Sequence, residues 1–148
     1  MNGRGWFAIG IEHTKTETNV GTLWRTAHSM GAAFVFTIGR RYKQQASDTT
    51  KAWRSLPLFN FGTLEECLQW RPYDALLVGI ELLPTATPVA AYTHPQRAIY
   101  LLGAEDHGLS AKAIKACNQT IVLPGEFCHN VAVAGAMVMY DRYTKGRR

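Results

Sequence analysis

A chain of 148 residues, 47% apolar and 18% charged, has the length of one domain and enough apolar residues to bury a core without disulfides or metal. These values exclude a disordered tail, a collagen-like repeat and a disulfide-dense mini-protein. With 16 Lys and Arg against 11 Asp and Glu, the net charge is +5, a modest lean toward polyanions.

The first residues, MNGRGWFAIGIE, lack a long apolar stretch followed by a small-residue cleavage site and do not read as a secretory signal. No apolar run reaches the ~18 residues a membrane span needs, so no membrane association is expected. Residues 6–12 are an apolar run suited to a buried strand. Residues 18–30 predict a helix, with Val20, Leu23, Trp24, Ala27 and Met30 at helical spacing. Thr18 or Asn19 is expected to cap it, and Gly31 to end it. Residues 33–38 predict a second strand. The stretch 39–57 is polar and basic, with Arg40, Arg41 and Lys43 close together and Lys51 and Arg54 following. A short strand near 58–60 comes next. Thr63 is expected to cap a helix to about Trp70, with Glu66 placed for a capping box. Residues 75–80 and 98–102 predict two more buried strands. Residues 110–117 predict a short helix capped by Ser110, 120–123 the last strand and 130–144 the last helix. The basic C-terminus, with Arg142, Lys145, Arg147 and Arg148, reads either as solvated surface and a frayed tail or as part of a surface for polyanions.

There is no internal repeat and no linker, so residues 1–148 are expected to form one domain. Alternating helices and continuous apolar strands predict an α/β fold with a mostly parallel sheet and helices on both faces. Ligands in such sheets sit at the carboxyl ends of the strands. That singles out the loops 13–19, 39–57, 79–87, 103–109 and 124–129.

Three segments there are more than connectors. The first is Asn19-Val20-Gly21 through Arg25. On an ideal helix, residues six apart point about 120° from each other, so Asn19 and Arg25 do not share one face. Taken alone they read as a capping Asn and an exposed Arg. The second, Leu101 to Ser110, runs LLGAEDHGLS between a strand and a helix. It has no GK[ST], and Glu105 and Asp106 repel phosphate, so a cationic or hydroxyl-bearing ligand suits it better. The third is Leu123 to Met137, where a Pro-Gly turn leads into a helix rich in small residues. The Ala134-Gly135-Ala136 surface is read as a close-packing face for a neighbour or a second subunit. Cys128 beside His129 suggests a Cys–His nucleophile, but sequence neighbours seldom provide that geometry and no orienting third group is evident. The histidines His13, His28, His94, His107 and His129 lack HxxxH spacing, and no metal site is read. Cys67, Cys117 and Cys128, an odd number without CxxC spacing, predict neither a disulfide framework nor a zinc cage; they fit a reducing, cytoplasmic compartment.

In order and spacing, these three segments resemble the motifs of the SpoU/TrmH family of RNA ribose 2′-O-methyltransferases, within the SPOUT superfamily. The resemblance covers nearly the whole chain. It implies a C-terminal deep trefoil knot, S-adenosylmethionine as methyl donor and a homodimer in which each site borrows residues across the interface. By position it implies catalytic or active-site roles for Arg25, Asn19, Glu105 and Asn130. It implies cofactor contacts for Gly103, Leu123, Cys128 and His129, with a contribution near Val78 and Gly79. Cys128-His129 stands where the family has Ser-Leu, and Leu123-Pro124 where it has Ile-Pro. Those differences bear on side-chain contacts to the cofactor, not on backbone ones. The chain resembles minimal members, and the expected substrate is RNA, tRNA ahead of rRNA. Arg40, Arg41, Lys43, Lys51 and Arg54, with Arg147 and Arg148, are the expected RNA contacts; Trp53 among them is read as a core residue first and as a base-stacking one second. Arg25 is expected to hold a phosphate or an alkoxide rather than act as a base, because arginine stays protonated. Glu105 is placed to orient Arg25 or to bind the cofactor. Two alternatives stand beside this reading: a methyltransferase of an RNA base, and a non-catalytic RNA-binding module with a relic cofactor site.

Overall fold

A computed structural model describes residues 5–39 and 55–146. Arg40, Arg41, Lys43, Lys51, Trp53, Arg54, Arg147 and Arg148 therefore lie outside the described residues.

Seven strands form one sheet: β1 (Trp6–Glu12), β2 (Phe34–Ile38), β3 (Leu58–Phe61), β4 (Leu76–Ile80), β5 (Thr87–Pro88), β6 (Arg97–Leu102) and β7 (Gln119–Val122). Their order is β3-β2-β1-β6-β4-β7-β5, and every pairing is parallel. Among the described residues the helices are α1 (Glu17–Ser29), α2 (Leu64–Trp70), α3 (Ala111–Ala116) and α4 (Val131–Gly146), with a 3-10 turn at Val89–Ala91. Parallel pairing needs crossovers, which place helices over the faces and bury the strands on both sides. The strand alternation divides the core accordingly. Phe7, Ile9 and Ile11 of β1 face a cluster completed by Leu23 and Trp24 of α1 and Val138 and Met139 of α4. Ala8 lies on the other face with Phe34, Phe36, Ile99 and Leu101, covered by Leu64 and Cys67 of α2 and Ala113 of α3.

The local signals at two helices act as expected. Thr63 accepts a hydrogen bond from the Glu66 N–H at 3.2 Å, and Glu66 returns one from the Gly62 N–H at 2.8 Å. The Ser110 hydroxyl caps α3 by accepting from Ala113 N–H at 3.1 Å.

Four expectations need correction. Helix α1 begins at Glu17 with Thr16 as its cap residue, and no side chain caps it. Asn19 sits inside the first turn with its amide engaged elsewhere. Two short elements, β5 and the 3-10 turn, are present where no element was expected; two residues carry no readable periodicity. Gly135 packs on a neighbouring helix of the same chain, the first of the two readings of its surface, and does not face outward to a second subunit. A β-carbon there would collide with Leu23 Cδ1, so this glycine lets α4 approach α1 within the same chain. Finally, Arg142 and Lys145 are not loose tail. Arg142 donates to the carbonyls of Pro95 at 2.7 Å and Gln96 at 2.8 Å, and Lys145 to those of Val89 at 2.6 Å and Tyr92 at 2.9 Å.

Among the described residues, no helix is long and apolar enough to cross a membrane. Cys67, Cys117 and Cys128 are free thiols. Burial pushes Cys67 and Cys117 up to about 11, so both stay protonated at neutral pH.

Candidate active site

A cavity of about 280 Å³ opens at the carboxyl ends of β4, β6 and β7. That is the end of a parallel sheet where strand-to-helix loops converge and backbone N–H groups remain available. Its walls are the ends of these strands, the 103–108 loop, the 127–129 segment and the first turns of α4.

The 103–108 loop is a closed ring. Ala104 and Gly108 exchange two backbone hydrogen bonds, at 3.2 and 2.9 Å. Gly103 has no room for a β-carbon, which would fall on the Gly108 backbone, and Gly108 adopts φ +67°, where glycine is favoured. A side chain at 103 would therefore break the ring itself before it reached the cavity.

The three segments singled out in the sequence meet here through side chains. Glu105 Oε1 accepts from the Asn19 amide at 2.8 Å and from the Thr14 hydroxyl at 3.0 Å; its Oε2 accepts from Lys15 N–H at 3.1 Å. The Asn19 oxygen accepts from the Asn130 amide at 3.1 Å. The Asn130 oxygen then caps α4 by accepting from Ala132 N–H at 2.9 Å. Each amide's orientation is fixed by its neighbours, since carboxylate and helix N–H groups leave one consistent assignment. Burial would raise the Glu105 carboxyl, but the hydrogen bonds from Asn19, Lys15 and Thr14 outweigh it and hold it below the ordinary carboxylate range. Asp106 pairs with Lys15, which holds its carboxyl low as well.

Leu123, Cys128 and His129 line the cavity. Cys128 and His129 do not form a nucleophile pair: the His129 Nε2 lies 2.6 Å from the Pro124 carbonyl. Val78 and Gly79 do not line it. Val78 is fully buried in the core, and Gly79 packs against the Cys117 sulfur. The cavity takes the next residues of the same strand end, Ile80, Glu81 and Leu82. Sequence reasoning also missed Phe127, 81% exposed at this cavity, and the Thr14–Lys15 contacts to Glu105. An acidic residue directly after the buried run ALLVGI was the available signal for Glu81. Arg25 is not held by Glu105; it is exposed on α1, with no ion pair or hydrogen bond among the described residues.

The chain matches the SpoU rRNA Methylase family over residues 7–140. It belongs to that family. A tRNA (guanosine(18)-2′-O)-methyltransferase of Mus musculus, TARBP1, is 27% identical over 137 residues, covering 86% of this chain and 9% of its own. The SpoU methyltransferase AviRb from Streptomyces viridochromogenes, solved in complex with AdoMet, superposes with a TM-score of 0.88 at 20% identity, over 97% of this chain and 59% of AviRb. A structure described for the 2-OH methylation of C/U34 on tRNA superposes with a TM-score of 0.83 at 18% identity, over 98% of this chain and 99% of its own. The chain thus spans under a tenth of the mouse relative and about three fifths of AviRb, and the structural likenesses establish the fold.

Proposed function

We propose that the protein transfers a methyl group from S-adenosylmethionine to a ribose 2′-hydroxyl of RNA, tRNA being the expected substrate. The observation that carries this reading is the hydrogen-bonded run Glu105–Asn19–Asn130, which ties the three family segments together at one cavity. The cavity suits such a donor. Leu82, Leu102, Leu123 and Phe127 offer apolar surface to a base, Glu81 and Glu105 offer carboxylates to a cation, and the described lining residues include no Lys or Arg. The 103–108 loop and Leu123, Cys128 and His129 would hold it. When bound, it supplies an electrophilic methyl group.

The chain's own residues do the orienting. Glu105 accepts three donors with its two oxygens, so it fixes Asn19 and the 14–15 backbone in place. Asn19 and Asn130 each keep a second amide hydrogen not used in these bonds; in this reading the exposed Asn130 offers its own to the attacking hydroxyl or its phosphate neighbours, and the buried Asn19 holds Asn130 in place. Arg25, always cationic, stabilises negative charge on phosphate or on the developing alkoxide. The basic residues 40, 41, 43, 51 and 54 supply RNA affinity in this reading, with steep salt dependence.

The reading extends to assembly. Val133 and Tyr140 are exposed on α4 and Met137 is half-buried between them, an apolar stripe at helical spacing. We infer that this stripe, not the Gly135 surface, is the twofold contact of a homodimer. The C-terminal trefoil knot belongs to the same proposal, supported by the 89–96 backbone resting on Arg142 and Lys145. Light scattering at micromolar concentration should report a dimer; a monomer overturns that part.

The test of activity is methyl transfer from labelled S-adenosylmethionine to bulk tRNA and rRNA, read by nucleoside mass spectrometry. A 2′-O-methyl nucleoside supports the proposal. Continued transfer to a substrate carrying 2′-deoxyribose at the mapped nucleotide refutes it and favours base methylation. Absence of transfer to either RNA favours a binding module.

A further inference from the structure

The 103–108 ring is gripped from both sides. It leaves β6, which lies between β1 and β4. The last residue of β1 and the first residue beyond β4 are both glutamates, Glu12 and Glu81. Glu81 Oε2 accepts from Leu109 N–H at 2.6 Å, and Glu12 Oε1 accepts from Ser110 N–H at 2.7 Å. Two consecutive N–H groups on the return of the loop are thus held by carboxylates from the two flanking strands. The second oxygens are used too: Glu12 Oε2 takes the Ser110 hydroxyl at 2.7 Å, and Glu81 Oε1 takes Leu82 N–H at 2.9 Å.

Glu12 is 2% exposed and is not part of the cavity wall. A carboxylate buried to that degree is costly to keep unless it is fully hydrogen-bonded, and an apolar residue would pack at lower cost. Ile38, the register partner of Glu12 on β2, and Leu109 are buried on the same sheet face as Glu12, so that face accepts aliphatic side chains. What Glu12 adds is aim. Through Ser110, whose hydroxyl also caps α3, it ties the end of the ring to β1. Because Ala104 and Gly108 close the ring on itself, placing residues 109 and 110 places the whole loop.

We propose that Glu12 is a positioning residue for the cofactor loop, acting through Ser110, with Glu81 as its counterpart from β4. This rests on reading the cavity as the S-adenosylmethionine site. The grip exists without a ligand, so it sets affinity by removing the cost of ordering the loop on binding.

Calorimetry of the full chain with S-adenosylhomocysteine tests it. Glu12→Gln keeps the shape but replaces one acceptor oxygen with an amide; affinity should fall about tenfold, the scale of one charge-assisted hydrogen bond. Ser110→Ala should fall by a similar factor, and the double variant by no more than the larger single loss. In the amide NMR spectrum the Ser110 N–H should lose the downfield position of a carboxylate-bonded proton in Glu12→Gln, while Leu109 keeps its own. Phe36→Leu, a core change on the sheet face covered by α2, controls for lowered stability and should bind as wild type. Unchanged affinity in Ser110→Ala, or an equal loss in Phe36→Leu, overturns the proposal; Ser110→Ala decides alone if Glu12→Gln does not fold. Wild type that binds the ligand while the variants match it sinks this inference and leaves the cavity reading intact. Wild type that binds neither S-adenosylhomocysteine nor S-adenosylmethionine sinks both.

Discussion

Helix α4 is held by polar groups at both ends, and the two ends are built for different purposes. At its N-terminus, Asn130 caps the helix and passes a hydrogen bond to Asn19 and on to Glu105. That run lies beside a cavity, its amides keep spare hydrogens, and the exposed Arg25 stands on the same helix as Asn19. Toward its C-terminus, Asp141, Arg142 and Lys145 are each tied to two or more partners within the chain. Asp141 takes His94 at 2.7 Å and Lys145 at 2.8 Å, and Arg142 takes two backbone carbonyls and the Tyr100 hydroxyl, the last at 3.1 Å. A cluster spent on strands and loops of its own chain closes structure; one with donors to spare beside a cavity is free to meet a ligand. Stability and activity should therefore separate along one helix.

Arg25 gives the largest expected separation. Arg25→Ala removes an exposed side chain that makes no hydrogen bond or ion pair among the described residues, so the melting temperature and ligand affinity should hold. Turnover should fall by roughly 10²–10³, the scale of a lost transition-state charge contact. Arg25→Lys should recover little if a planar, bidentate fork is required. Single-turnover kinetics beside calorimetry would show both. Full activity in Arg25→Ala would erase the contrast between the two ends.

Arg142→Ala is the opposite experiment. It strips several charge-assisted hydrogen bonds and leaves the Pro95 and Gln96 carbonyls without this donor. We expect a loss of about 2–3 kcal/mol in urea unfolding. Activity per folded molecule should stay near wild type. Asn130→Ala should fall between: about 1 kcal/mol for the lost helix cap, together with a fall in turnover, because Asn19 loses the donor that fixes its amide.

This division was only partly legible in the sequence. Buried parallel strands are continuous apolar runs, so β1, β2, β4 and β6 stood out within a residue or two of their ends. Thr63 and Ser110 announced their helices because a cap bonds three residues along, within reach of local reading. Asn19 misled for the same reason. An Asn near a helix start reads as a cap, yet its amide is claimed by Glu105, 86 positions away. Gly135 announced a close-packing surface but not its partner, because nothing local reveals that Leu23 of α1, and not a second subunit, fills the space above it. Arg142 and Lys145 read as tail because their partners are backbone carbonyls, which every residue has. Glu12 and Glu81 went unnoticed as a pair, since only the strand order β1-β6-β4 brings them to one loop.

Acid should separate the two ends once more, with the smallest effect of the set. At the C-terminal cluster, burial lowers the His94 pKa below its ordinary 6.5, while Asp141 pulls it up and Arg142 and Lys145 oppose charge on it. Arg142 donates to the Tyr100 oxygen, which directs the Tyr100 proton to His94 Nδ1 and the imidazole proton to Asp141. The folded state thus prefers neutral His94. A lowered pKa contributes stability that is fully present above the unfolded value and is lost as pH falls through the folded one. This contribution should begin to erode below about pH 6.5 and should vanish from the pH profile of His94→Gln. Glu105 is also lowered, but from 4.5, by donors at the active-site end. Its contribution is intact above the ordinary carboxylate range and disappears only as pH falls through its own depressed value. Melting temperatures of wild type, His94→Gln and Glu105→Gln across pH 3 to 8 should therefore show two windows, the histidine one at higher pH. A His94→Gln profile that keeps the wild-type slope just below pH 6.5 would show that the C-terminal cluster tolerates the extra proton, and the two ends of α4 would then differ only in which partners their polar groups hold.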